Sequence, residues 1–216
     1  MHLIVFDIDG TLADSNAFDG QLYVKALESV LGVRIDSNWT SYENVTDSGI
    51  LDEILAKEIP PGDHSHLRSQ AQSVFVGLVA DYMHDRGGRI PEIPGARAFV
   101  ERLAAHPDVA LAFATGGWQQ TAMMKLRGIG LEPEGLCLAS ASDAISRLEI
   151  MKLAEARALA GDNIERRTYF GDGLWDQRVS AELGYDFIGI GDRVNCSIRF
   201  PNFLSTNAIL SELSLE

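Results

Sequence analysis

Leu3-Ile4-Val5-Phe6-Asp7-Ile8-Asp9-Gly10-Thr11-Leu12 is an apolar run that ends in two carboxylates separated by one residue. Carboxylates so close together at the mouth of a buried strand repel each other and lose hydration, unless a cation or a shared proton compensates them. A divalent metal would do both. Residues i and i+2 of an extended chain project to the same side, so Asp7 and Asp9 can face one ion or one reacting group. Gly10-Thr11 then lets the backbone turn sharply beside them.

Downstream of this strand the chain does not read as a simple crossover. Helical spacing of apolar residues runs from Asn16 to Val33, and Ser48 to Ile59 and Leu67 to Met83 read as two more helices. The stretch 85–95 then holds three glycines and two prolines, the strongest linker signal in the sequence. From Ala96 the pattern alternates regularly. A helix to about His106 leads to a strand Val109 to Ala114, a helix Gly117 to Arg127, a strand Leu136 to Ala139 and a helix Ser146 to Ala160. A strand Arg167 to Phe170, a helix Leu174 to Leu183, a strand Phe187 to Ile190 and a final helix near Asn207 to Leu213 complete it. This is the order of a parallel α/β sheet covered by helices, with residues 1–14 and 93–216 forming an α/β core domain and residues 15–92 an inserted helical cap. Ligands of open parallel sheets bind at the carboxyl ends of the strands, so the insertion is expected to sit over the site as a lid.

Three further groups fall at predicted strand ends. Thr115-Gly116-Gly117 offers a hydroxyl and unhindered backbone N–H groups at a helix start, suited to an oxyanion or phosphate but also readable as an N-cap and turn. In Gly171-Asp172-Gly173-Leu174-Trp175-Asp176 the two aspartates are four apart, so Asp176 can fold back toward Asp172 at a helix start. They offer the oxygen donors a hard cation needs, or a helix cap plus a first-turn acid. For the cation, Arg147 competes with Lys152. Five residues along a helix turn through about 500°, so the two cannot enter one pocket, and Arg147 lies nearer the strand ends.

The composition narrows the setting. At 216 residues the chain has room for one sizeable core, or a core plus an insertion. A hydrophobic content of 46% and a mean hydropathy near zero indicate a folded, soluble chain. The net charge of −13, from 31 acidic and 18 basic residues, disfavours nucleic acid and anionic membrane surfaces as partners. Cys137 and Cys196 are too few for a disulfide scaffold and lack partners at zinc spacing. Neither a signal peptide nor a membrane span is evident, which makes the cytoplasm the expected location.

With these residues in place, the chain resembles phosphatases of the haloacid dehalogenase superfamily, of the phosphoglycolate phosphatase-like kind with a helical cap after strand one. Phe6 to Leu12 is similar to the family's first motif, Thr115-Gly116 to the second, and Asp172 with Asp176 to the fourth. The third motif departs, since the family's lysine is replaced by Arg147, 25 residues before Asp172. Arginine keeps a permanent charge and can hold phosphate bidentately, although its reach differs. The resemblance implies a Rossmann-like core and hydrolysis of the phosphate monoester of a small phosphorylated metabolite. Asp7 would be the nucleophile that forms an aspartyl-phosphate, and Asp9 the general acid and base. Mg²⁺ would be held by Asp7, the Asp9 backbone carbonyl, Asp172 and Asp176. Thr115, Gly116 and Arg147 would bind the phosphoryl oxygens.

Asp9 separates this chemistry from that of dehalogenases, which lack the second aspartate, but sugar-phosphate mutases share it. Mutases similar to β-phosphoglucomutase carry a cap histidine where this chain has Asp19. A catalytically silent phosphometabolite sensor is the other alternative, prompted by Arg147. The long insertion argues against a signalling receiver, and no dinucleotide or P-loop fingerprint is present. Cap residues Trp39, Tyr42, His64, His66 and Arg68 are candidates to reach the ligand, and Gly87 and Gly88 to act as a hinge.

Overall fold

In the computed structural model, which describes residues 1–159 and 164–215, the opening apolar run forms β1, His2–Phe6, with every residue buried. It lies between β2, Val109–Ala114, and β4, Arg166–Gly171, and pairs in parallel with both. The two-residue β3, Leu138–Ala139, extends the sheet beyond β2. On the other side β5, Asp186–Ile190, and the short β6, Arg199–Phe200, complete the parallel order β3-β2-β1-β4-β5-β6. A central strand covered on both faces needs apolar residues at consecutive positions, as Leu3 to Phe6 supplies. Ile4 and Phe6 enter one core with Phe99, Phe113, Phe170 and Phe203, in which the rings of Phe6 and Phe170 stack 4.8 Å apart. Leu3 and Val5 enter the opposite core with Ala112, Ile150, Met151 and Tyr169.

Helices α4, Ala96–Ala104, and α8, Thr206–Leu213, contribute to the first face, and α6, Arg147–Ala158, to the second. Helix α5, Gln119–Gly128, follows β2, and α7, Leu174–Leu183, follows β4. Most boundaries fall within two residues of the sequence reading. Helix α5 starts two residues later than expected, so Thr115 is not its N-cap. Helix α6 ends at Ala158, and its expected last residue, Ala160, lies outside the described residues. Strand β6 and a 3₁₀ turn at Trp39–Ser41 were not expected.

Between β1 and α4 come α1, Asn16–Leu31, α2, Asp47–Glu58, and α3, Ser65–His84. The segment leaves and returns along paired backbone, with Asp14 N donating to Pro91 O and Ile93 N to Leu12 O at 2.9 and 2.8 Å. Tyr23 and Phe75 meet edge to face, and both rings pack on Trp118 at the start of α5, so apolar contact is continuous from the helical segment into the sheet core. The 44–48 stretch is also hydrogen-bonded to the strand-end loops. Thr46 Oγ1 donates to Ile145 O, Ser48 Oγ to Ala141 O and Asp47 N to Gly116 O, all at 2.6–2.7 Å. No helix among the described residues is long and apolar enough to cross a membrane.

Candidate active site

The sheet order reverses at β1. The chain passes from β1 to β2 and β3 on one side, then returns to β4 on the other, and such a switch opens a crevice at the carboxyl ends of the strands. Asp7 follows β1 directly. Its backbone N–H donates to Phe170 O at 2.9 Å, which fixes it at the end of β4 as well. Gly10 turns the chain with φ +77, and a Cβ there would collide with Asn16 Nδ2 and Asp172 Oδ2. Only glycine satisfies both the left-handed backbone and this close approach.

Arg147 reaches the centre of the site. Its guanidinium Nη1 lies 3.0 Å from Asp7 Oδ1 and 2.9 Å from Asp176 Oδ1. A side chain at 116 would begin 2.7 Å from Nη2, so glycine at that position leaves the room arginine occupies. Lys152 instead pairs with Glu149 on the exposed side of α6. Asp176 folds back as expected, with Oδ2 accepting from Gly173 N at 3.1 Å and Oδ1 from the Tyr169 hydroxyl at 3.3 Å. Asp172 Oδ2 accepts from Asn16 Nδ2 at 2.7 Å and from Arg193 Nη1 at 3.0 Å.

Oxygens of Asp7, Asp172 and Asp176 lie within 4.8 Å of one another, and all three residues are buried. Burial pushes Asp7 well above the usual carboxylate range, with Asp176, Asp172 and Asp9 adding repulsion that Arg147 only partly offsets. Asp172 is pushed up to about 6 by burial and by Asp176, against the pull of Arg193. Three buried carboxylates, two of them paired with Arg147 and the third with Arg193, have the oxygen chemistry of a site for a hard divalent cation, and Mg²⁺ fits this donor set. The Asp9 carboxylate is not part of the cluster.

Asp9 instead meets a residue the sequence reading did not single out. Lys125, fully buried on α5, places Nζ 2.6 Å from Asp9 Oδ1 and 2.5 Å from Asp19 Oδ1 on α1. Ser15 Oγ donates to the same Asp9 oxygen at 2.5 Å. Burial alone would lower the ammonium's pKa, but Asp19 and Asp9 outweigh it and keep Lys125 charged. Asp19, buried beside a second acid that shares the lysine, is pushed up to about 6. A sequence signal for this did exist: Thr121, Ala122, Lys125 and Leu126 form one buried stripe of α5, and a lysine within such a stripe needs acids opposite.

A cavity of about 110 Å³ lies over these groups. Asp7, Asp9, Gly116, Gly117, Arg147 and Arg193 line it from the sheet side, and Asp19, Tyr23, Trp39 and Asp47 from the helical segment. Thr115 is buried behind this lining, with Oγ1 accepting from Gly117 N at 3.1 Å. Asp47 Oδ2 accepts from Trp118 N at 2.8 Å, and burial together with Asp19 pushes Asp47 well above the usual range. Of the cap candidates only Trp39 lines the cavity. Tyr42 hydrogen-bonds to Asp36 O, His64 to Pro60 O, Arg68 pairs with Asp52, and His66 is exposed.

A search of curated proteins found no match. Among solved structures, a hydrolase from Pseudomonas syringae is similar over 99% of both chains, at 17% identity and a TM-score of 0.76. β-Phosphoglucomutase from Clostridium difficile is similar over 99% of both, at 14% and 0.71. CbbY from Rhodobacter sphaeroides, solved with phosphate, is similar over 93% of this chain and 94% of its own, at 18% and 0.68. At these identities the likeness shows the fold. Residues 1–184 match the family model for haloacid dehalogenase-like hydrolases, and the chain belongs to that family.

Proposed function

We propose that the protein is a Mg²⁺-dependent phosphate monoester hydrolase that acts on a small phosphorylated metabolite through an aspartyl-phosphate on Asp7. The observation that carries this reading is the placement of Asp7 and Asp9 on one cavity, with Arg147 joining Asp7 to Asp176 and Asp172 close by. Residues 15–92 act as its cap, and the cytoplasm is its proposed location. A phosphorylated ligand is supported by the similar CbbY, solved once with phosphate and, as a point mutant, with xylulose-(1,5)bisphosphate.

Asp7, the Asp9 carbonyl, Asp172 and Asp176 would hold the metal, which when bound screens the repulsion between the nucleophile and the phosphoryl group. An Asp7 oxygen attacks phosphorus as the ester P–O bond breaks, and Asp9 gives its proton to the departing alkoxide. Arg147 and the Gly116 amide hold phosphoryl oxygens, while Thr115 braces the 115–117 loop through Gly117 N. Asp9 then takes a proton from water as that water attacks the phosphorus on Asp7, releasing phosphate and restoring both carboxyl groups.

A sugar-phosphate mutase would use the same first half-reaction. Asp19, at the position where similar mutases carry a cap histidine, is already bound by Lys125, which favours the hydrolase. Incubation with p-nitrophenyl phosphate and Mg²⁺ tests the reading. Turnover is expected, and Asp7→Asn should lower it by at least about 10³-fold with the fold unchanged by circular dichroism. Full activity in Asp7→Asn would exclude this nucleophile, and no release by the folded parent protein at any pH would favour the sensor alternative.

A further inference from the structure

Lys125 has no place in the mechanism above, yet it is the most costly side chain in α5. An apolar residue would fill the buried stripe of that helix without stripping water from an ammonium. What the lysine does is visible at its tip. Asp9 Oδ1 forms an ion pair with Lys125 Nζ at 2.6 Å and accepts a hydrogen bond from Ser15 Oγ at 2.5 Å, while Lys125 is itself paired with Asp19 Oδ1 at 2.5 Å. A carboxylate on a turn can rotate to present either oxygen. An ion pair and a hydrogen bond converging on one oxygen restrain that freedom. The other oxygen, Oδ2, is left beside the cavity-lining Gly117, 3.5 Å from where a Cβ at that residue would stand.

We propose that Lys125 is the positioning residue for Asp9, holding Oδ1 so that Oδ2 faces the oxygen of the departing group. The proposal rests on the phosphatase reading. In that reaction the Asp7 oxygen–phosphorus bond forms, the ester P–O bond breaks, and the alkoxide takes the proton carried on Asp9 Oδ2. A misdirected Asp9 slows the attack of water on the phosphorylated Asp7 for every ester alike, but slows the first half-reaction, which sets kcat/KM, only for esters whose leaving group needs a proton. p-Nitrophenolate leaves without one, whereas the benzyl alcohol oxygen does not, and the two rings are of similar size.

The test compares parent protein and Lys125→Met on p-nitrophenyl phosphate and benzyl phosphate with Mg²⁺. The ratio of kcat/KM for the nitrophenyl ester to that for the benzyl ester should rise at least about tenfold in the variant, within the range that general acid catalysis supplies. The change should lie in kcat, because Lys125 does not touch the substrate. An unchanged ratio in a folded variant, whether both rates fall together or neither falls, would overturn the proposal. Should Lys125→Met fail to fold because Asp9 and Asp19 then face each other unscreened, the double variant Lys125→Met/Asp19→Asn relieves that repulsion and is read by the same ratio. Inactivity of the parent on both esters would overturn the phosphatase reading itself, and this proposal with it.

Discussion

At the scale of single residues, Arg147 shows how one substitution within a family pattern is accommodated. Its fork joins Asp7 and Asp176, and Gly116 leaves the space for Nη2. A lysine at 147 would supply a point charge on a shorter reach, so Arg147→Lys should lower kcat/KM by about 10- to 100-fold, the loss of one charge-assisted hydrogen bond. Arg147→Ala goes further, since it leaves Asp7 and Asp176 buried beside Asp172 without the cation that joins them. Removing one partner from such a group costs about 3–5 kcal/mol. The Tm of Arg147→Ala should therefore fall in metal-free buffer and recover with added Mg²⁺ by more than the parent's does, as followed by differential scanning fluorimetry. Residues of this kind were legible in the sequence because each directly follows or opens an element whose periodicity is plain. Asp7, Thr115 and Asp172 end strands, and Arg147 opens a helix after a strand. Lys125 was legible only as a lysine within an apolar stripe; its partners, and the role of Asp47, were not, because they depend on which helix faces which, and no local pattern encodes that. Arg193 and Asn16 reach Asp172 across 21 and 156 residues of chain, which no spacing rule anticipates.

At the scale of elements, the regular alternation after Ala96 places strands and helices within a few residues, since runs such as Val109 to Ala114 have the period and length of buried strands. The two-residue β3 and β6 are too short to carry a period, so the apolar pattern overextends the first and passes over the second. What the sequence could not show is how firmly the helical segment is fastened to the strand-end loops. Ser48 sits at the middle of that fastening: its hydroxyl donates to Ala141 O at 2.7 Å and accepts from Trp118 Nε1 at 2.8 Å. Ser48→Ala leaves both partners without this bond, each costing about 1–3 kcal/mol if water cannot reach it. Because the lost contacts join the helical segment to the strand-end loops and none touches the reacting atoms, KM should rise severalfold with a smaller change in kcat. Proteolytic cleavage near residues 85–89, where the segment returns, should become faster. Steady-state kinetics and a timed protease digest measure the two effects, and a fall in kcat alone would argue against a role in closure.

At the scale of the whole molecule, charge decides what the cavity will admit. The chain carries a net −13, and the part of the cavity away from Arg147 repeats that sign through Asp19 and Asp47. Lys125 is shared between Asp9 and Asp19, whereas Asp47 forms no ion pair among the described residues and rests on the Trp118 amide alone. A phosphate can enter because Arg147 and the proposed metal oppose the field where the phosphoryl group binds. A leaving group with its own carboxylate would then be pressed against Asp47, and because burial and Asp19 already push that carboxyl well above the usual range, the two acids could share the site only by taking up a proton, which costs affinity. Leaving groups that offer hydroxyl or ammonium donors meet an acceptor instead, between the aromatic walls of Tyr23 and Trp39. In a panel of phosphorylated metabolites, glycerol phosphate and other polyol phosphates should therefore exceed phosphoglycolate in kcat/KM by at least about tenfold, equivalent to about 1.4 kcal/mol. Asp47→Asn preserves the shape and the acceptor oxygen for Trp118 N but removes the charge. It should narrow the gap by raising kcat/KM for phosphoglycolate while leaving p-nitrophenyl phosphate, which has no carboxylate, little affected. Raising the salt concentration should do much less, because screening acts weakly between buried charges. If phosphoglycolate proves the better substrate of the parent protein, the acidic wall does not face the leaving group, and the orientation assigned to the substrate would have to be reversed.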